Sequence, residues 1–223
     1  MRILAIETSH RSGSVAVLES GKLLAEEFLP LDIPTTRSLH PAIKELLQRV
    51  GWQPKDVQLI TTTVGPGSFT GLRIGVTTAK VFAYAVGAEV LGLDTLEVIA
   101  HRTPEDYSEV YAAVDAQRGD VVAGGYRRTP QGYFENTVPP TLVPFERWVL
   151  SLPEGAVLTG PALARYPVPE GASVKVLPQN LWFPTAGALG ELAWIYWCAG
   201  RRDDLWGLLP KYARLSYAEE KLR

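Results

Sequence analysis

Apolar runs at 2–8, 13–20 and 22–30, broken by the turn stretches "HRSG" and "ESGK", predict three strands joined as a meander. The period then lengthens. Leu39, Ile43, Leu46, Leu47 and Val50 recur at helical spacing, with Gly51 placed to end the helix and Pro54 beyond it. "DVQLITTTV" reads as a buried strand, "FTGLRIGVTTAKVFAYAVG" as a helix ending at Gly87, "EVLGLD" as a strand and "TLEVIAHRT" as a helix. The order is βββαβαβα.

After Pro104 the order begins again. "SEVYAAVDAQRGDVVAGGYRRTPQGYFENT" can be laid over the first meander so that Asp115 overlies Glu7 and Gly119 overlies Gly13. "FERWVLSL" supplies a short helix, "GAVLTGPA" and "ASVKVLP" two strands, and "AGALGELAWIYWCAGR" a long helix. A duplicated βββαβαβα unit resembles the actin, sugar-kinase and Hsp70-like ATPases, which implies an α/β, two-lobed actin-like (ribonuclease H-like) fold. The second lobe is expected to be eroded, because Pro167 and Pro169 in "LARYPVPEG" exclude the helix due between its last strands. The expected division is 1–103 for the first lobe, 104–204 for a smaller second lobe, and 205–223 for a segment packing back on the first.

"VGPGSFTGLRIG" joins a strand to a helix, as phosphate-binding loops do. Both standard phosphate motifs fail here. Gly65 to Gly71 is one residue too long for either, and Leu72 stands where a Walker loop needs lysine. What is left is a turn with Ser68 or Thr70 as the helix cap, exposed amides, and Arg73 one turn in, so an anion or a plain tight turn are both open. The following helix is apolar almost all round, with Arg73, Thr77 and Lys80 as its polar stripe. One side can rest on its own sheet. The other is expected to meet the second lobe or another chain.

Composition narrows the functional classes. The chain has 223 residues, 46% apolar and 21% charged, enough for one large core or two smaller ones. Its formal charge of −2 gives no basic field for nucleic acid, which argues against a stand-alone RNA-binding protein. No signal peptide or membrane span is expected at the N-terminus or elsewhere, so a cytoplasmic protein is expected. The single cysteine, Cys198, lies in "LAWIYWCAG" and is expected to be a buried thiol filling space.

With "ILAIETS", "VGPGSFTGLRIG", "VDAQRGDV" and "LPKYARLSYAE" in that order, the whole chain resembles the TsaB (YeaZ) family of the bacterial tRNA threonylcarbamoyladenosine system. The resemblance implies a subunit without catalysis of its own. Such a subunit pairs with the catalytic relative TsaD, works with the ATPase TsaE, pairs with itself when alone, and meets tRNA only through the complex. The family's interface is made by helices corresponding to 37–50 and 69–86. That makes Leu39, Ile43, Leu47, Phe69, Leu72, Arg73, Val76, Ala79, Lys80 and Ala83 the candidate interface residues, with at least one of Val76, Ala79 and Ala83 expected to approach the partner and the others free to face the home sheet.

Departures from TsaD matter too. TsaD binds its metal through two histidines four apart on a helix, whereas here Lys44 follows His40 at that spacing, and an ammonium cannot complete an imidazole site. No metal or cofactor is expected; His40 is expected at a surface or interface, and His10 and His101 lack a visible metal partner. Glu7, Thr8, Ser9, Asp94 and Asp115 are the candidates for a residual nucleotide cleft. Each carboxylate also fits a cap at a strand end, Asp94 before "TLEV" above all. The alternative to the partner subunit is a small actin-like ATPase or kinase with a nucleotide between its lobes.

Overall fold

The computed structural model describes residues 1–213; the last ten residues of the expected 205–223 segment, from position 214 on, lie outside them. The first sheet contains β1 (Arg2–Glu7), β2 (Ser14–Glu19), β3 (Lys22–Phe28), β4 (Leu59–Gly65) and β5 (Glu89–Asp94), in the order β3-β2-β1-β4-β5. The second contains β6 (Glu109–Asp115), β7 (Asp120–Arg128), β8 (Phe134–Pro144), β9 (Ala156–Thr159) and β10 (Val174–Val176), in the order β10-β9-β6-β7-β8. Read from the other edge, the second order repeats the first. The pairing agrees as well: β1–β2 and β6–β7 are antiparallel, while β1–β4, β4–β5, β6–β9 and β9–β10 are parallel. This is the two-lobed, duplicated actin-like fold. Between β9 and β10 only a short 3-10 turn, Pro161–Ala164, stands where the first lobe has α2, so the second lobe is the eroded one.

Alternation along β1 and β2 sorts the first core. Leu4, Ile6, Val15 and Val17 face α1 (Thr35–Arg49) and α2 (Phe69–Val86), while Ile3, Ala5, Ala16 and Leu18 face α5 (Ala186–Cys198). In the second sheet Val110, Ala112 and Val114 face α3 (Thr95–His101), and Tyr111, Ala113 and Val121 face α4 (Phe145–Leu150).

Helices α3 and α5 are therefore exchanged between the two sheets. α3 follows the first sheet in the chain but covers the second, and α5 follows the second sheet but covers the first. The division at 104–204 put α5 with the second lobe; its Leu189, Leu192 and Ala193 are instead buried against β1 and β2. The burial of Cys198 is also overturned. It sits at the last position of α5, beyond the part covered by the sheet, and is exposed.

Residues 199–213 carry no helix or strand, yet they run along the first lobe as a strap. Leu208 is buried in the core shared by α1, α2 and the first sheet, with Leu205 packed against it. The Lys211 amide donates to the Val64 carbonyl at 2.6 Å. At the free edge of the first sheet, Asp203 accepts from the Gly92 amide at 2.8 Å and Arg201 donates to the Gly92 carbonyl at 2.6 Å. Two side chains thus satisfy backbone groups that a further strand would have taken.

Candidate functional site

The β4–α2 loop is built for close packing. Ser68, not Thr70, caps α2, its hydroxyl accepting from the Gly71 amide at 3.2 Å. The Ser68 amide donates to the Ser9 carbonyl at 2.7 Å, and the Thr8 hydroxyl donates to the Gly71 carbonyl at 2.8 Å. A Cβ on Gly71 would collide with the Thr8 carbonyl, and one on Gly75 with the Thr8 hydroxyl. These glycines let α2 lie directly on the β1–β2 turn. Their role is filled by the chain's own backbone.

A cleft of about 1260 Å³ opens between the lobes, lined by Thr8, Ser9 and His10 on one side, Asp115, Gln117 and Arg165 on the other, and Tyr212 of the strap. The structure brings Thr8, Ser9 and Asp115 to this cleft, whereas Glu7 and Asp94 do not line it. The carboxylates proposed for a nucleotide site are each held internally. Glu7 is fully buried and accepts from the Ser9 amide at 2.5 Å, the Ser9 hydroxyl at 3.2 Å and the Thr63 hydroxyl at 3.3 Å. Burial pushes its carboxyl up to about 7, against the lowering effect of those donors. Asp94 caps α3 through the Leu96 amide at 2.8 Å, and burial raises it despite Lys211 nearby. Asp115 accepts from Arg165 at 2.7 Å, the Tyr166 hydroxyl at 2.7 Å and the Gln117 amide at 2.8 Å. A magnesium-bound water at Asp115 would share the carboxylate with these partners.

The three histidines are apart. His40 and Lys44 are exposed on α1. His10 bonds through Nδ1 to the Ser12 hydroxyl at 2.9 Å, packs its ring 4.7 Å from that of Phe183, and is lowered by burial. His101 lies at the end of α3, where burial and then Arg128 push it down to about 4. Among the described residues no group of three His, Cys, Asp or Glu side chains could hold a metal ion.

The candidate interface residues divide in two. Leu39, Ile43, Leu47, Leu72, Val76, Ala79 and Ala83 are buried within the chain's own first lobe, so the positions expected to approach a partner are unavailable to one. The reason is that α2 lies between the first sheet, α1 and the strap, and all three take its apolar side chains. Phe69, Arg73 and Lys80 stay at the surface, where the strap engages them. Arg73 stacks 3.8 Å from the Phe69 ring centre and donates to the Tyr212 hydroxyl at 2.8 Å; Lys80 donates to the carbonyls of Trp206 and Leu208 at 3.0 and 3.1 Å.

What α2 leaves outward is a different set, with Val81 63% and Tyr84 70% exposed. Large apolar side chains this open make the outer side of α2 a candidate interaction face. Sequence reasoning missed them because a helix apolar on all sides does not say which side its own sheet will take. The clue available was the chemistry of Tyr84, the one aromatic of the helix with a polar tip.

Known proteins agree with this architecture. A family model described as TsaD, tRNA N6-adenosine threonylcarbamoyltransferase, matches residues 35–183. The chain is 33% identical over 231 residues to the tRNA threonylcarbamoyladenosine biosynthesis protein TsaB of Bacillus subtilis, covering 99% of this chain and 97% of that one. It is 33% identical over 135 residues to the protein of the same name from Escherichia coli, covering 59% of this chain and 58% of that one. The solved structure of YeaZ from Pseudomonas aeruginosa superposes with a TM-score of 0.81 at 27% identity, covering 95% of this chain and 99% of that chain. A near full-length relative and a shared domain model together show that this chain belongs to the TsaB (YeaZ) family, within the wider group that the TsaD model describes.

Proposed function

We propose that this chain is a non-catalytic subunit of the bacterial machinery that makes N6-threonylcarbamoyladenosine in tRNA. It pairs with a TsaD-type catalytic subunit, joins a TsaE-type ATPase in a larger complex, and forms a homodimer when alone. The observation that carries the reading is its likeness, across 99% of its length, to a relative named for that biosynthesis. The non-catalytic reading is in keeping with carboxylates occupied structurally: Glu7 by Ser9 and Thr63, Asp94 by the α3 cap and Asp115 by Arg165.

The outer face of α2 is the pairing surface in this reading, flanked by α1. A formal charge of −2 fits a subunit that meets tRNA only through its partner. Among the described residues no helix is long and apolar enough to cross a membrane. The cytoplasm, where tRNA is modified, is the corresponding location.

Reconstitution tests the reading. Modified adenosine is measured by mass spectrometry in tRNA treated with TsaD- and TsaE-type proteins, with and without this chain. Modification that depends on the chain is expected; full modification without it contradicts the proposal. Titration of the isolated chain with ATP and magnesium separates the alternative, since micromolar binding with turnover belongs to a small ATPase.

A further inference from the structure

The strap has an arrangement that its own packing does not require. Its backbone is pinned to the first lobe by Lys80 at the carbonyls of Trp206 and Leu208, by Lys211 at Val64, and by burial of Leu208. With those groups turned inward, the neighbouring large side chains are turned out. Trp206 is 66% and Leu209 64% exposed. The Trp206 ring lies 5.6 Å from that of Tyr84, so the outward face of α2 continues onto the strap at Trp206, with Leu209 exposed three residues further along.

We propose that the strap is half of the pairing surface, with Trp206 and Leu209 as its anchors against the TsaD-type chain that meets Val81 and Tyr84. This rests on the pairing reading above and extends it to a segment outside the two helices. Continuity with the α2 face names the occupant, because a chain seated on Tyr84 also covers Trp206. The chemistry points to protein. The two cations beside the patch, Arg73 and Lys80, are engaged within the chain, leaving an apolar and aromatic surface of the kind that supplies binding hot spots.

The test uses the full chain carrying Trp206→Ala, Leu209→Glu or, on the helix, Val81→Glu. Affinity for a TsaD-type protein is measured by calorimetry, self-association by sedimentation, and folding by thermal unfolding. Trp206 holds Lys80 through its backbone carbonyl, so the strap variants keep their unfolding midpoint. Both are expected to lose affinity roughly tenfold or more, in line with truncation of an interface anchor. Normal affinity in both strap variants, with loss in Val81→Glu, overturns this proposal and leaves the pairing reading intact. Loss of self-association alone overturns the assignment of the patch to the TsaD-type chain. A wild-type chain that binds no TsaD-type protein overturns both readings.

Discussion

The Glu26 carboxylate of β3 accepts a hydrogen bond from the Gly187 amide of α5 at 2.9 Å, so a residue of the first meander caps the helix that returns from the second lobe. Ser14 completes the cap, donating to Glu26 at 2.9 Å and accepting from the Ala186 amide at 2.8 Å. Thr185 takes the Ala188 amide at 3.3 Å. The first-turn amides of α5 are therefore satisfied largely by side chains of the first sheet, where a negative charge also suits the helix dipole. Glu26→Ala is expected to destabilise the fold by about 1–2 kcal/mol. Chemical denaturation checks this, and an unchanged midpoint would show that α5 does not depend on the first lobe for its cap.

The contact between α2 and the β1–β2 turn predicts a difference between two glycines. Gly75→Ala places a methyl group against the Thr8 hydroxyl, a side-chain atom, whereas Gly71→Ala places one against the Thr8 carbonyl. Overpacking of this kind costs about 1–3 kcal/mol. Thr8→Ala removes the hydroxyl and is expected to recover part of the loss in the Gly75 variant and none of it in the Gly71 variant. A double-mutant cycle measured by denaturation reads the coupling directly. Equal recovery at both positions contradicts the geometry.

Glu7 predicts a pH dependence. In the fold its carboxyl holds a proton up to about 7, against 4.5 in water. Between those values the folded chain binds more protons than the unfolded one, so the contribution of Glu7 to stability falls as pH rises. Ionising it costs on the order of 3 kcal/mol above that window. Glu97, pushed up to about 7 by burial and by Asp94, acts in the same direction; His101, pushed down from 6.5 to about 4, acts oppositely and loses stability as pH falls. Glu7→Gln removes one contribution only. Its stability relative to wild type is expected to rise between about pH 5 and about pH 8, followed by denaturation at each pH; a constant difference would contradict a buried, proton-holding Glu7.

Much of the fold was legible in the sequence. Period-two alternation in "ILAIE" and "SVAVLE" located β1 and β2, and the repeated meander with Asp115 over Glu7 carried the duplication into matching sheet orders. Pro167 and Pro169 marked the missing helix of the second lobe. The exchange of α3 and α5 was not legible, since a helix as uniformly apolar as "AGALGELAWIYWC" carries no stripe that names its neighbour. The strap was expected only as a segment packing back on the first lobe, and its path was hidden for another reason. Its position depends on pairs such as Lys80 with Trp206 and Lys211 with Val64, far apart in the chain and unmarked by any local pattern. For the same reason the inward and outward faces of α2 became distinct only in the fold: Val76, Ala79 and Ala83 went to the core, Val81 and Tyr84 to the surface.

The most direct test of the account is the amount of modified adenosine formed in tRNA by the reconstituted system when this chain carries Tyr84→Glu, compared with Val76→Glu. Val76 is 3% exposed, so its variant buries an unpaired carboxylate and loses several kcal/mol of stability, and with it the folded lobe. Tyr84 is 70% exposed, so its variant keeps the wild-type unfolding midpoint. The account predicts that this folded Tyr84→Glu chain no longer pairs with the TsaD-type subunit and leaves modification at the level seen without the chain. A folded Tyr84→Glu chain that supports wild-type modification would contradict the assignment of the outer face of α2 to the partner.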